Sequence, residues 1–206
     1  GSLAREAVCA RVAGGDWDAF NALVASTPAG NDGNVGFFFE QPEIVPHITT
    51  AGVRRFDGEG GTVESFATPA IEARAVLEGQ LMSMRSHAEA AGLVPKRLIA
   101  TGGASANVAL VQVIADVFGA PVFASTQTDS ASLGAAYRAL HGDVCAKAAA
   151  DGGAFVSYAE LTADATNASL SLAATPDDAN HGVYSAMLPA YNELVARVVA
   201  EDAGSL

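Results

Sequence analysis

The chain has 206 residues, half of them apolar and 17% charged, a composition that buries a sizeable core and is not that of a disordered segment. Eleven basic against 23 acidic side chains give a net charge of −12, and Lys96 and Lys147 are the only lysines, which argues against a nucleic-acid partner. No uncharged apolar run reaches eighteen residues, so no membrane span is expected, and the reading is of a cytoplasmic protein with two free thiols, Cys9 and Cys145.

Residues 3–26 read as helix broken at Gly14 and Gly15, with Asp16 placed to cap a second short helix through Phe20, Leu23 and Val24. Pro28, Gly30, Asn31, Asp32 and Gly33 then make a turn-rich loop, and Val35–Phe39 is an aromatic run of strand type. Residues 51–61, AGVRRFDGEGG, read as another loop. Residues 70–91 form a helix by their period, with Ile71, Leu77, Leu81, Met84 and Ala88 on one face. Arg74, Glu78, Arg85 and Glu89 decorate the rest, and Gly92 and Pro95 end it. In residues 96–101 the apolar Leu98, Ile99 and Ala100 do not alternate, which predicts a short strand in a sheet covered on both faces.

Residues 105–118 predict a helix apolar on two sides, with Val108, Val111 and Phe118 on one and Leu110, Val113 and Val117 on the other. Val122–Ser125 is the next strand. Asp129 or Ser130 caps a helix holding Leu133, Tyr137 and Leu140, which Gly142 ends. Residues 143–175, rich in Ala, Gly and Asp, receive no assignment. Residues 184–200 return to helix with Leu188, Tyr191, Leu194, Val195 and Val198 as its stripe, and Asp177 and Asp178 sit at a solvated helix start. Helix, strand, helix, strand and helix thus follow one another from 70 to 141, the alternation of an α/β layered domain with at least two adjacent parallel strands.

The chemistry centres on LIATGGASAN, residues 98–107. Glycines between a strand and a helix let a ligand approach the main chain, and helix N-terminal N–H groups attract anions. A turn serving packing alone accounts for Gly102 and Gly103 equally well. No GxxxxGK[ST] loop and no GxGxxG is present, so a bound nucleotide uses another scheme. Gly134, inside a predicted helix, implies a close neighbour, either a ligand or a tightly packed backbone. Trp17, the only tryptophan, is either core or a platform for a purine ring. His47, His87, His141 and His181 show no metal-ligand spacing, and no nucleophile-and-base signature appears.

Several long motifs, in order, resemble the FGGY family of carbohydrate kinases in its eukaryotic xylulose-kinase branch: GSLAREAV, TPAGNDGNVGFFFEQPEIVP, EARAVLEGQLMSMRSHAE, LIATGGASANVALVQVIADVFGAPV, SASLGAAYRALHG and YSAMLPAYNEL. The resemblance implies that residues 1–206 are the family's C-terminal domain, an actin-like, ribonuclease-H-like α/β domain with a mixed sheet flanked by helices. Residues 143–175 match poorly and look like a variable insertion. By resemblance Trp17, Gly102, Gly103, Ala104 and Asn107 are the ATP-binding residues, and Mg²⁺ accompanies the nucleotide. The resemblance also implies that D-xylulose and the general base belong to an N-terminal domain. This chain, with no sequence like that domain's, reads as its nucleotide-side half and is expected to be inactive alone. An apolar face left open would favour a homodimer. Two alternatives stay open: another FGGY sugar or polyol kinase, and a non-catalytic actin-like nucleotide-binding module.

Overall fold

Two helices open the chain, α1 (Ser2–Ala13) and α2 (Trp17–Ala25), in a computed structural model that describes residues 2–125, 129–168 and 170–204, without the side chains of residues 103, 104, 130 and 164–168. Gly14 and Gly15 separate these helices with φ of +63° and +87°, the left-handed region that glycine enters freely. Asp16 then caps α2, its carboxylate accepting from the N–H groups of Asp18 and Ala19. The break and the cap are as the sequence predicts.

The predicted strand β1 (Val35–Phe39) pairs antiparallel with β2 (Gly52–Phe56), Val35 standing opposite Phe56 and Phe37 opposite Arg54. Residues 51–61 are therefore not one loop, because half of the stretch is a strand. Two adjacent arginines hide it. Arg55 lays its guanidinium over the Phe38 ring and bonds both carboxylate oxygens of Glu72, so the polar side of β2 is packed against a helix instead of facing water.

That helix, α3 (Pro69–Ala90), is the spine of the fold. Thr68 caps it and Pro69 occupies its first turn, where a missing N–H costs nothing. It packs against α1, α2, β1, α4 (Val108–Phe118) and α7 (Asp178–Ala203), so burial extends well beyond one stripe. Arg74, Glu78 and Arg85, expected on the solvent side, are buried, and Met84, expected inside, is exposed. The buried charges are tolerated because they are bonded. Arg74 donates to Glu78, Thr27 and the Val24 carbonyl; Arg85 donates to Glu89, Ser185 and the Val117 carbonyl. At Gly79 the helix meets Gly36 of β1 so closely that an added Cβ would overlap the Gly36 carbonyl oxygen. Tyr191 of α7 donates to the Gly79 carbonyl at 2.8 Å from another side.

Beyond α4 lies a three-stranded mixed sheet. β3 (Leu98–Ala100) runs parallel to β4 (Val122–Ser125), as predicted, and β5 (Leu170–Ala174) joins β4 antiparallel. The two apolar sides of α4 serve two cores. Leu110, Val113 and Val117 face the main core with α1, α2, α3 and α7, whereas Val111 and Ala115 bury against Val122 and Ala174 of the sheet. Val108, expected on an apolar side, is exposed at the helix start. The sheet is not covered on both faces at β3. Leu98 and Ala100 pack toward α4, and Ile99 between them is 48% exposed, because successive strand residues point to opposite faces.

Asp129, of the two predicted caps, is the one bonded into α5 (Ser130–Ala150), which runs straight past Gly142. A glycine ends a helix by adopting the left-handed conformation; Gly142 does not, and Gly152 does, at φ +67°. Gly134 lies within α5 with nothing inside 4 Å of an added Cβ, so close packing within the described chain does not explain it. The unassigned stretch after 142 supplies the end of α5, then α6 (Tyr158–Ala168) and β5. Asp177 caps α7, and buried Asp116 of α4 accepts from the Asp177 N–H and Asn180 Nδ2, fastening the two helices together.

Candidate functional site

Two helix beginnings meet at one cavity. The first is α2, whose cap at Asp16 sets Trp17 at its opening position. Trp17 meets buried Phe20 edge-on, with ring centroids 5.4 Å apart and planes at 73°, and is 40% exposed. A large aromatic half open to solvent, braced by a core ring, is a platform with an unused face.

The second is α4. At Gly102, φ is +75° and no atom lies within 4 Å of an added Cβ, so the glycine serves the backbone conformation and leaves open space beside it. The turn Gly103–Ala106 follows, in which the Ser105 N–H and hydroxyl both donate to the Gly102 carbonyl, at 3.1 and 2.7 Å. The helix predicted from residue 105 thus begins at Val108. Asn107 is its N-cap and not part of its first turn: Oδ1 accepts from the Leu110 N–H at 3.0 Å, while Nδ2 donates to Asn21 Oδ1 at 2.9 Å.

Between these beginnings lies a cavity of about 760 Å³, lined in part by Trp17 and Asn21 of α2, Ala106 and Asn107 of the turn, and Arg5 and Glu6 of α1. The structure therefore brings Trp17 and Asn107, 90 residues apart in sequence, to one site. Gly102 is exposed and lies outside the described lining; of Gly103 and Ala104 only the backbone, as the turn leading to Asn107, is described. Sequence reasoning missed Asn21, Arg5 and Glu6. Asn21 had a usable signal, its i,i+4 spacing from Trp17, which puts both on one face of α2. Arg5 donates to Gln80 Oε1 at 2.7 Å, and burial draws its guanidinium below the ordinary arginine value against the opposing influence of Glu6. Among the described residues no three of His, Cys, Asp and Glu converge as metal ligands.

The cavity suits a ligand with a flat aromatic part, which Trp17 can cover, and polar atoms that Asn107, Asn21 and Arg5 can meet. The family model of the FGGY carbohydrate kinases, C-terminal domain, matches residues 5–142. A xylulose kinase of Rattus norvegicus is 43% identical, covering 100% of this chain and 37% of its own. Xylulose kinase 2 of Arabidopsis thaliana is 41% identical over 78% of this chain and 30% of its own. The chain spans about a third of the length of these curated relatives. Among solved structures, the fold recurs in the ligand-bound xylulose kinase from Lactobacillus acidophilus, with a TM-score of 0.74 at 19% identity, covering 100% of this chain and 40% of that one.

Proposed function

The chain belongs to the FGGY family of carbohydrate kinases, and on that premise we propose that it is the ATP-binding half of a D-xylulose kinase. The observation that carries the reading is the meeting of Trp17 and Asn107 across one cavity. Trp17 offers its open face to adenine, Asn107 a side-chain N–H, and the main chain at Gly102, Gly103 and Ala104 passes beside the nucleotide, where small residues permit close approach. Arg5 supplies positive charge in a chain with few cations.

The reaction forms a bond from a D-xylulose hydroxyl oxygen to the γ-phosphorus and breaks the bond from that phosphorus to ADP, giving D-xylulose 5-phosphate. The hydroxyl proton passes to a general base. We assign that base, and the contacts to D-xylulose, to the family's N-terminal domain and to no residue of this chain. This half binds and orients the nucleotide; phosphoryl transfer also needs the nucleophile positioned and the developing charge neutralised, so this half alone is expected to be inactive. Mg²⁺ would come to the site on the ATP phosphates, where it would neutralise their charge; among the described residues no three of His, Cys, Asp and Glu converge to hold it without them. We read residues 143–175, beyond the matched region, as a family-variable insertion. The cytoplasm, where the thiols of buried Cys9 and half-buried Cys145 stay reduced, is the compartment this reading implies. Association into a homodimer through exposed apolar side chains such as Leu93, Val94 and Ile99 belongs to the same reading, and sedimentation velocity tests it.

Titration with ADP, following the emission of Trp17, tests the site. A saturable change that Gly103→Val abolishes and Asn107→Ala weakens supports the assignment; a change that survives both variants unaltered places the nucleotide elsewhere.

A further inference from the structure

The Asn107 amide has no freedom to turn. The Leu110 N–H can only donate, so the atom facing it is Oδ1, and the NH₂ group is the one directed at Asn21. The Asn21 atom that receives this NH₂ must in turn be an acceptor, Oδ1, at 2.9 Å. One amide therefore fixes the other. Asn21 stands one helical turn after Trp17 on α2, so the same short helix carries the aromatic platform and the group that sets the opposing polar residue. After these two bonds, each NH₂ group retains N–H hydrogens with no partner among the described residues, and both residues line the cavity.

We propose that Asn21 is a positioning residue for the nucleotide base: its side-chain carbonyl holds the Asn107 NH₂ group so that the remaining N–H of Asn107 is presented to an acceptor on the adenine ring. The inference rests on the reading of this cavity as the nucleotide site. Without Asn21 the Asn107 NH₂ is held on one side only, through the cap, and its angle toward a ligand is free to vary. A positioned donor binds better than one that must be ordered on binding.

The probe is adenosine, whose lack of phosphate removes charge repulsion from the comparison, and the readout is the indole N–H resonance of Trp17 in a titration followed by nuclear magnetic resonance. With a single tryptophan the resonance is unambiguous. Asn21→Ala, which favours helix and so leaves α2 formed, is expected to weaken adenosine roughly three- to tenfold, the loss of one positioned hydrogen bond. Asn21→Asp, which still accepts from the Asn107 NH₂, is expected to stay within about twofold of the parent. A purely structural Asn21 would lower the melting temperature of the Ala variant and leave its affinity alone. Adenosine affinity unchanged in Asn21→Ala, with the parent binding at Trp17, overturns the positioning role and leaves the nucleotide site standing. No saturable shift of the Trp17 resonance in the parent removes the site reading and this inference with it.

Discussion

Arg74 and Glu78, one turn apart on α3, form an ion pair of 2.9 Å in which both side chains are buried, with Tyr184 and the Gly30 N–H donating to the same Glu78 oxygen. The pair joins four segments: α3, the end of α2 through Val24 and Thr27, the turn at Gly30, and α7 through Tyr184. Burial is the largest influence on Glu78 and pushes its carboxyl above the ordinary value of 4.5, against the pull of Arg74 and Tyr184.

Arg74→Met leaves that carboxyl buried without its cation and removes one bond to the Val24 carbonyl, which keeps those from the Thr27 N–H and hydroxyl. The expected cost at neutral pH is about 3 kcal/mol, in the range for breaking a buried pair. The pH dependence has a definite sign. A carboxyl whose folded pKa is raised contributes stability that is complete below its unfolded pKa and is lost as pH rises through the folded value. Removing Arg74 raises the folded value further. Urea melts of the two proteins should therefore converge toward pH 5 and diverge toward pH 8. A deficit that does not change with pH would remove Glu78 from the explanation.

Gly79→Ala tests the approach of α3 to β1. The new methyl overlaps the Gly36 carbonyl oxygen, a backbone atom that cannot swing away as a side chain would. The helix must retreat from the strand, and overpacking of this kind costs about 1–3 kcal/mol even though alanine is the better helix former. Thermal melting of the variant reads the difference. A rise in melting temperature would show that the strand yields freely.

What could be read from the sequence was what local chemistry decides. The cap at Asp16, the solvated helix start at Asp177 and Asp178, the strands Val35–Phe39 and Val122–Ser125, and the Leu110, Val113 and Val117 side of α4 all express short-range rules, and the structure keeps them. The failures are of another kind. Arg74, Glu78 and Arg85 look like surface charges because burial depends on which helices surround α3, a tertiary fact absent from its period. Strand β2 reads as loop because Arg55 finds its partners in Glu72 and Phe38, distant in sequence. The site divides the same way. Trp17 and the turn before α4 stand out as unusual residue types, whereas Asn21 is an ordinary helix residue until Asn107 is brought against it.

Asp202, near the end of α7, holds the segment after β1. Its carboxylate accepts from the Thr49 N–H and hydroxyl, both at 2.7 Å, and from the Thr50 N–H at 3.0 Å. The Thr49 N–H, then its hydroxyl, draw the Asp202 carboxyl down from 3.8 to about 2. A depressed carboxylate contributes stability that is present above the unfolded pKa and lost as pH falls through the folded one. Protection of the Thr49 and Thr50 amides, measured as exchange relative to the intrinsic rate at each pH, should accordingly fall between about pH 4 and about pH 2 in the parent. In Asp202→Asn, protection should be lower already at neutral pH and lack that acid-dependent step. Protection at Thr49 that is equal in the two proteins across the range would show that the segment is held by other contacts.

Asn107 carries two loads that one pair of variants separates. Its Oδ1 caps α4 and its NH₂ is the donor offered to the nucleotide site. Asn107→Ala removes both, and the lost cap alone costs about 1 kcal/mol of stability. Asn107→Asp keeps an oxygen for the Leu110 N–H, and a negative charge at a helix N-terminus is favourable, so its stability should stay within about 0.5 kcal/mol of the parent. It has no N–H to give. If Asn107 touches the base, adenosine binding weakens in both variants although only Asn107→Ala melts early. If the residue is a cap and nothing more, affinity follows stability, and Asn107→Asp binds adenosine as the parent does. The second outcome would remove Asn107 from the nucleotide site and leave that site resting on Trp17 and the main chain at Gly103.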